Sequence, residues 1–437
     1  MKSEVVVLLL LQLSAMLAAT LILGRTVKRL GLPSLLGELV GGIILGPTVL
    51  GAFFPDAHRS LFPAAGPVSM ARDGIIQFGL LLFLFVAGLE VELKHWSEQK
   101  RTIALTSLLG VAIPFLAGVA SVLLWPGLWQ LGGERGEWVG PLFVGTILSI
   151  SALPVIARIL IDLDLIKTSF GAVVLAAASM DDLIGWALFG VILSQFGAAG
   201  RAGGRWWLNI ACVAGLSVLI FSIGTVSGRR VLKWITHRVG QPGSYVQLML
   251  VVVLLAAAGA EWIGTHAIFG AFLVGVAMAR TSEPSRQAHA ALRSITLEFF
   301  VPLYLVSIGL RTNFATNFDP LLVAVVLVVA TFGKLAGAAT GAWLGGRPVR
   351  EAMAIGFALN ARGAMGIVLT TVALDFNLIS ERVFVALIFM AVATSVIGGA
   401  VIPKLIAPGP RAVPGGARPT KDAAVGVSAQ GLHVSNS

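Results

Sequence analysis

The chain has 437 residues, of which 57% are hydrophobic and 12% charged, with a net charge of +10. Soluble domains carry about 25% charged residues, so this balance and a mean hydropathy of +0.92 exclude an ordinary soluble enzyme and predict an all-α polytopic membrane protein. The positive charges lie in short segments between apolar runs, where they read as topology signals rather than as a nucleic-acid surface, and the one cysteine, Cys212, excludes an internal disulfide framework.

A membrane core of about 30 Å takes about 20 apolar residues in a helix. Runs of that kind fall at 5–24, 34–53, 74–92, 103–125, 139–161, 169–196, 206–228, 245–262, 265–280, 297–311, 320–345, 351–374 and 383–406, which predicts thirteen transmembrane helices. With the N-terminus outside, the inner segments hold most of the lysines and arginines, including Arg25, Lys28 and Arg29, then Arg229, Arg230, Lys233 and Arg238. The outer segments hold few, such as Arg59, Arg135 and Arg311. This bias predicts a multi-pass protein with its C-terminus in the cytoplasm. Residues 1–408 form the transmembrane domain. Residues 409–437, rich in Gly, Ala, Pro and Ser without apolar period, predict a disordered cytoplasmic tail.

The polar residues inside these runs carry the chemistry. Glu38, in Gly37-Glu38-Leu39, is a candidate accessory acid that either bonds to a neighbouring helix or carries ions. Ser149-Ile150-Ser151-Ala152-Leu153-Pro154 marks an interruption: Pro154 removes one helical hydrogen bond, and the hydroxyls of Ser149 and Ser151 either replace it or coordinate a cation. Asp181 and Asp182 sit side by side in the apolar run from about 170 to 196. A charge at the bilayer centre costs a few kcal/mol or more, so such a pair is a candidate proton or cation carrier. Glu261 and His266 flank a short outer turn and predict an interfacial role. Lys334 lies mid-span, far from either predicted end, and calls for an anion at depth: Asp181, Asp182 or Glu38. Asn360-Ala361-Arg362-Gly363 predicts a second interruption. Broken helices are tolerated at depth only beside protein or a water-filled cavity.

The two interruptions fall one in each half of the chain. Leu84-Phe85-Val86-Ala87-Gly88-Leu89 is similar to Leu305-Val306-Ser307-Ile308-Gly309-Leu310, and Leu39-Val40-Gly41-Gly42 to Leu273-Val274-Gly275-Val276. Under the helix count above, the segment near Gly88 runs toward the inside and that near Gly309 toward the outside, the pattern of inverted repeats in a transporter.

The order and spacing of several segments resemble the monovalent cation:proton antiporter family, in the branch of the Kef-type and Nap-type exchangers. They are Arg29-Leu30-Gly31-Leu32-Pro33 through Gly46-Pro47, Phe83 to Leu93, Ser149 to Leu160, Ala176 to Ile184, Gly270 to Gly275, Phe300 to Leu310 and Phe357 to Gly366, spanning about residues 25–405. The resemblance implies a thirteen-helix fold with inverted repeats, a dimerisation domain and a core in which two broken helices cross. It implies that Asp182 binds Na+ or a proton and that Asp181 pairs with Lys334. The double aspartate resembles the electrogenic sodium/proton members. One departure is that Ser151 and Ala152 stand where some sodium exchangers place Thr and Asp.

The resemblance further implies a homodimer in the bacterial plasma membrane that exchanges protons for Na+, with Li+ a second cargo and no cofactor. A potassium/proton antiporter on the same fold is the nearest alternative. A cation channel would move ions without proton coupling, and a non-transporting membrane sensor would move none.

Overall fold

The computed structural model describes residues 3–29, 34–89, 99–131, 138–194, 215, 242–263, 266–279 and 285–406. The predicted run 206–228, apart from residue 215, and the tail 409–437 lie outside these residues. The described residues of the other predicted runs are mainly helical, with breaks at 46–49, 150–152 and 360–363. With no water to satisfy backbone groups in a bilayer, apolar sequence folds into helices that pair their own amides and carbonyls. Nine helices among the described residues are long and apolar enough to cross a membrane.

In chain order the first group is α1 (Ser3–Arg29), α2 (Ser34–Leu45) and α3 (Pro67–Leu89). Then come α4 (Lys100–Leu124), the divided pair α5 (Val139–Ser149) and α6 (Leu153–Asp162), and α7 (Ser169–Ser194). After the segment outside the description follow α8 (Pro242–Ile263), α9 (Ala267–Met278), α10 (Ser285–Ile295) and α11 (Val301–Arg311). A π-helical turn, Thr296–Phe300, joins α10 to α11 just before Pro302, whose missing amide disturbs the regular ladder. The last group is α12 (Pro320–Leu344), the second divided pair α13 (Val349–Leu359) and α14 (Ala364–Asp375), and α15 (Glu381–Leu405).

Close helix packing divides these elements into two bundles. One contains α1–α3 and α8–α11, the other α4–α7 and α12–α15. The repeated sequence segments explain the first bundle. A Cβ at Gly42 would lie 2.2 Å from the Val306 carbonyl oxygen, and one at Gly275 would lie 2.1 Å from that of Phe85. The contact of α2 with α11 is therefore repeated by α9 with α3, as an inverted repeat requires. Backbones approach this closely only where side chains are absent, which replaces the missing hydrophobic drive between helices in lipid.

The second bundle holds the crossing. Its own apolar cluster includes Ile156, Leu160, Val174, Ala338 and Leu359. A second cluster runs across both bundles, joining Phe272 and Val306 of the first to Trp186 and Phe384 of the second. The aromatic part of this seam stacks Trp186 on Phe272 with ring centroids 5.3 Å apart.

Candidate ion-binding site

Two interrupted helices leave backbone groups unpaired in the interior, and the structure shows where those groups go. α5 ends at Ser149 and α6 begins at Leu153, with Pro154 in its first turn, where a missing amide costs nothing. α13 ends at Leu359 and α14 begins at Ala364. The two gaps join directly: the Ala152 amide donates to the Ala361 carbonyl at 3.0 Å. The Ser151 hydroxyl lies 2.7 Å from the Leu359 carbonyl and 2.8 Å from Asp181 Oδ2, so its single proton serves either acceptor.

The carbonyl end of α5 carries the negative pole of a helix dipole, and two cations meet it. Lys334 Nζ donates to the Ser149 carbonyl at 2.6 Å, and Arg362 Nη1 donates to the Ile147 carbonyl at 2.9 Å. Arg362 Nη2 also donates to the Ala330 carbonyl at 3.2 Å. The Ser395 hydroxyl hydrogen-bonds the Arg362 carbonyl, tying α15 to the second gap. Ser149, Ser151, Asn360 and Arg362 are all buried.

Lys334 is held in place by how α12 lies on α4. A Cβ at Gly337 would sit 2.3 Å from the Leu109 carbonyl oxygen. That close approach puts Lys334 Nζ 2.9 Å from the Gly110 carbonyl. Its third proton goes to Asp181 Oδ2 at 2.6 Å, and neither side chain retains exposure. Asp182 follows Asp181 on α7. Successive residues of a helix point about 100° apart, so the two carboxylates face different neighbours. Asp182 is equally buried and remains within electrostatic reach of Lys334.

The structure therefore gathers Asp181, Ser151, Lys334 and the Ser149 backbone at one point, with Arg362 and Asn360 at the adjoining gap. The Ser149 hydroxyl points away from this cluster, donating to Thr146 of its own helix at 2.7 Å. Asn360 Nδ2 reaches the Thr331 hydroxyl at 3.4 Å. Glu38 lies half-buried on α2, its Cγ close to Gly24 of α1. The backbone acceptors for Lys334 and Arg362 escaped the sequence reading because any residue offers a carbonyl. The stripe Gly333, Gly337, Gly341 on α12 was the available signal for the α4 contact.

Comparison with known proteins follows the same outline. The family described as "Sodium/hydrogen exchanger, transmembrane" matches residues 15–407. The chain is 29% identical over 415 residues to the Na(+)/H(+) antiporter NhaS4 of Synechocystis, covering 93% of this chain and 98% of that one. It is 30% identical over 396 residues to Cation/H(+) antiporter 17 of Arabidopsis thaliana, covering 89% of this chain and 47% of the other. The chain thus spans about half the length of such plant relatives. The fold is similar to that of the sodium proton antiporter MjNhaP1 from Methanocaldococcus jannaschii, with a TM-score of 0.68 at 13% identity over 92% of this chain and 98% of that one. At that identity the likeness speaks for the fold alone. The family match runs through both interrupted helices and the aspartate pair, and by it the chain belongs to the sodium/hydrogen exchanger family.

Proposed function

We propose that the protein is a secondary active antiporter that exchanges protons for a monovalent cation, with Na+ the favoured cargo and Li+ a second one. The observation that carries this reading is the unequal setting of two adjacent buried carboxylates. Asp181 pairs with Lys334 at 2.6 Å, and Asp182, on another face of α7, is buried beside it and within electrostatic reach of the same lysine. Asp182 is then the carrier: one carboxylate holds a proton or a cation, and competition between them couples the two fluxes. Asp181 is the fixed anion that makes Lys334 tolerable at depth. Asp181 Oδ1 and the Ser151 hydroxyl would supply further oxygens for a dehydrated ion.

Movement of the α4–α7 and α12–α15 bundle against the other would expose Asp182 to each side in turn. The stationary bundle, α1–α3 with α8–α11, would carry the homodimer contact in the bacterial plasma membrane, with the N-terminus outside. Exchange of two protons for one cation moves one net charge, and the membrane potential then contributes about 2.3 kcal/mol per 100 mV. No cofactor is required by this scheme.

Ala152 at the first gap gives the potassium reading its support. It offers no side-chain oxygen, which leaves a weaker ligand field and favours a cation that sheds water more readily. Proteoliposomes loaded with a pH-sensitive dye test both readings. Sodium- and lithium-evoked proton movement is expected, steepened by an imposed voltage. A response to potassium alone would select the second reading, and no proton movement with any cation would overturn both.

A further inference from the structure

The two bundles also meet through charged groups that the ion site does not use. Arg311 ends α11 in one bundle and Asp375 ends α14 in the other. Arg311 Nη1 donates to Asp375 Oδ1 at 2.6 Å. A neighbouring ring contact crosses the same boundary. His266 caps α9, its Nδ1 accepting from the Ile268 amide at 3.3 Å, and its ring meets Phe376 edge-on with centroids 6.0 Å apart. Glu261 Oε2 accepts from the Ala267 amide at 2.9 Å, which fixes the start of α9. Asp73 of α3, which pairs with Arg72 at 3.2 Å, repels Asp375 across the boundary.

The two bundles also meet through aromatic side chains. Trp186 lies one helical turn beyond Asp182 along α7. It packs on Phe272 of α9 at 5.3 Å and on Phe189 at 6.0 Å. One turn further, a Cβ at Gly190 would touch Phe269 at 3.4 Å. These aromatic contacts therefore also join the two bundles, α7 of one to α9 of the other.

We infer that Arg311 and Asp375 form a reversible latch between the bundles, parting and re-forming in each transport cycle. The inference rests on the antiport reading, since only alternating access requires the bundles to separate here. Its strength suits that task. The Arg311 and Asp375 side chains keep 30% and 52% of their exposure, so the pair is screened by solvent. Such a contact biases a two-state equilibrium up to about fivefold without locking it. An apolar contact alone carries no register, whereas a charge pair defines one closed position.

The test joins the two helices covalently. In a Cys212→Ser background, Arg311→Cys with Asp375→Cys is treated with a short bifunctional thiosulfonate, reconstituted, and assayed before and after dithiothreitol. Loss of exchange on cross-linking with recovery on reduction is expected. Equal exchange in the cross-linked and reduced forms overturns the latch alone, while absence of exchange in the unmodified protein overturns the antiport reading and the latch with it.

A second set of variants does not depend on cysteines. Arg311→Gln or Asp375→Asn is expected to shift the ratio of half-saturating cation concentrations, measured in right-side-out and everted vesicles, up to about fivefold. The exchanged pair Arg311→Asp with Asp375→Arg should return it toward the original value. A merely structural role would change the amount of active protein and leave that ratio fixed, which would also overturn the latch.

Discussion

Lys334 and Asp181 form an ion pair with Nζ and Oδ2 2.6 Å apart and no exposure on either side chain. All three ammonium protons are used, on Asp181, the Ser149 carbonyl and the Gly110 carbonyl. These contacts therefore join four elements, α12, α7, α4 and the end of α5, and breaking the ion pair should be felt as a charge left alone in a dry interior.

Removing one partner strands the other. Lys334→Ala is expected to cost about 3–5 kcal/mol, because Asp181 loses its compensating charge. Neutralising both, as Asp181→Asn with Lys334→Met, should cost less than either single change. Thermal unfolding of purified protein in detergent, read as a double-mutant cycle, checks this. A double variant no more stable than the singles would remove the pair from the account.

Asp182 predicts the opposite profile. Asp182→Asn keeps the volume and leaves the Lys334–Asp181 contact in place, so unfolding should stay within about 1 kcal/mol of the parent. Proton-coupled cation exchange in proteoliposomes should nevertheless disappear. Exchange at the parent rate would remove Asp182 as the carrier.

The expectations that the sequence supported best concern polar residues placed where polarity is expensive. Asp181, Asp182, Lys334 and Arg362 stand out in apolar runs, and Pro154 and Gly363 mark gaps that backbone geometry requires. The division into two bundles was less legible. It depends on which glycine meets which carbonyl, as Gly42 does with Val306 and Gly275 with Phe85, and sequence similarity between those segments shows only that such contacts repeat. The pairing of Arg311 with Asp375 was not legible at all. Both are ordinary helix-terminal charges, 64 positions apart, and only the packing of α11 beside α14 brings them together.

Arg362 offers a test of backbone satisfaction. Its two terminal nitrogens reach carbonyls on different elements, Ile147 and Ala330. A lysine ammonium is a compact point charge and lacks this planar fork. Arg362→Lys should thus lose one of the two bonds and about 1–3 kcal/mol of stability. Arg362→Met, which leaves both buried carbonyls without their donor, should cost more. Equal stability of the lysine variant and the parent would show that the fork is dispensable.

The crossing itself can be tested through Gly363. A Cβ there would lie 2.3 Å from Val155 Cγ2 and 3.2 Å from the Ala152 Cβ. Gly363→Ala therefore forces α6 and the second gap apart, with an expected cost of about 1–3 kcal/mol from overpacking. The same displacement would lengthen the Ala152–Ala361 backbone bond that ties the two gaps together. Val155→Ala removes the atom in the way, so adding it to Gly363→Ala should recover part of the lost stability and exchange, even though Val155→Ala alone leaves a small void. Rescue by a deletion that is destabilising alone has one physical source, the clash between these two side chains. A double variant worse than Gly363→Ala would show that the glycine serves backbone conformation rather than the closeness of the crossing.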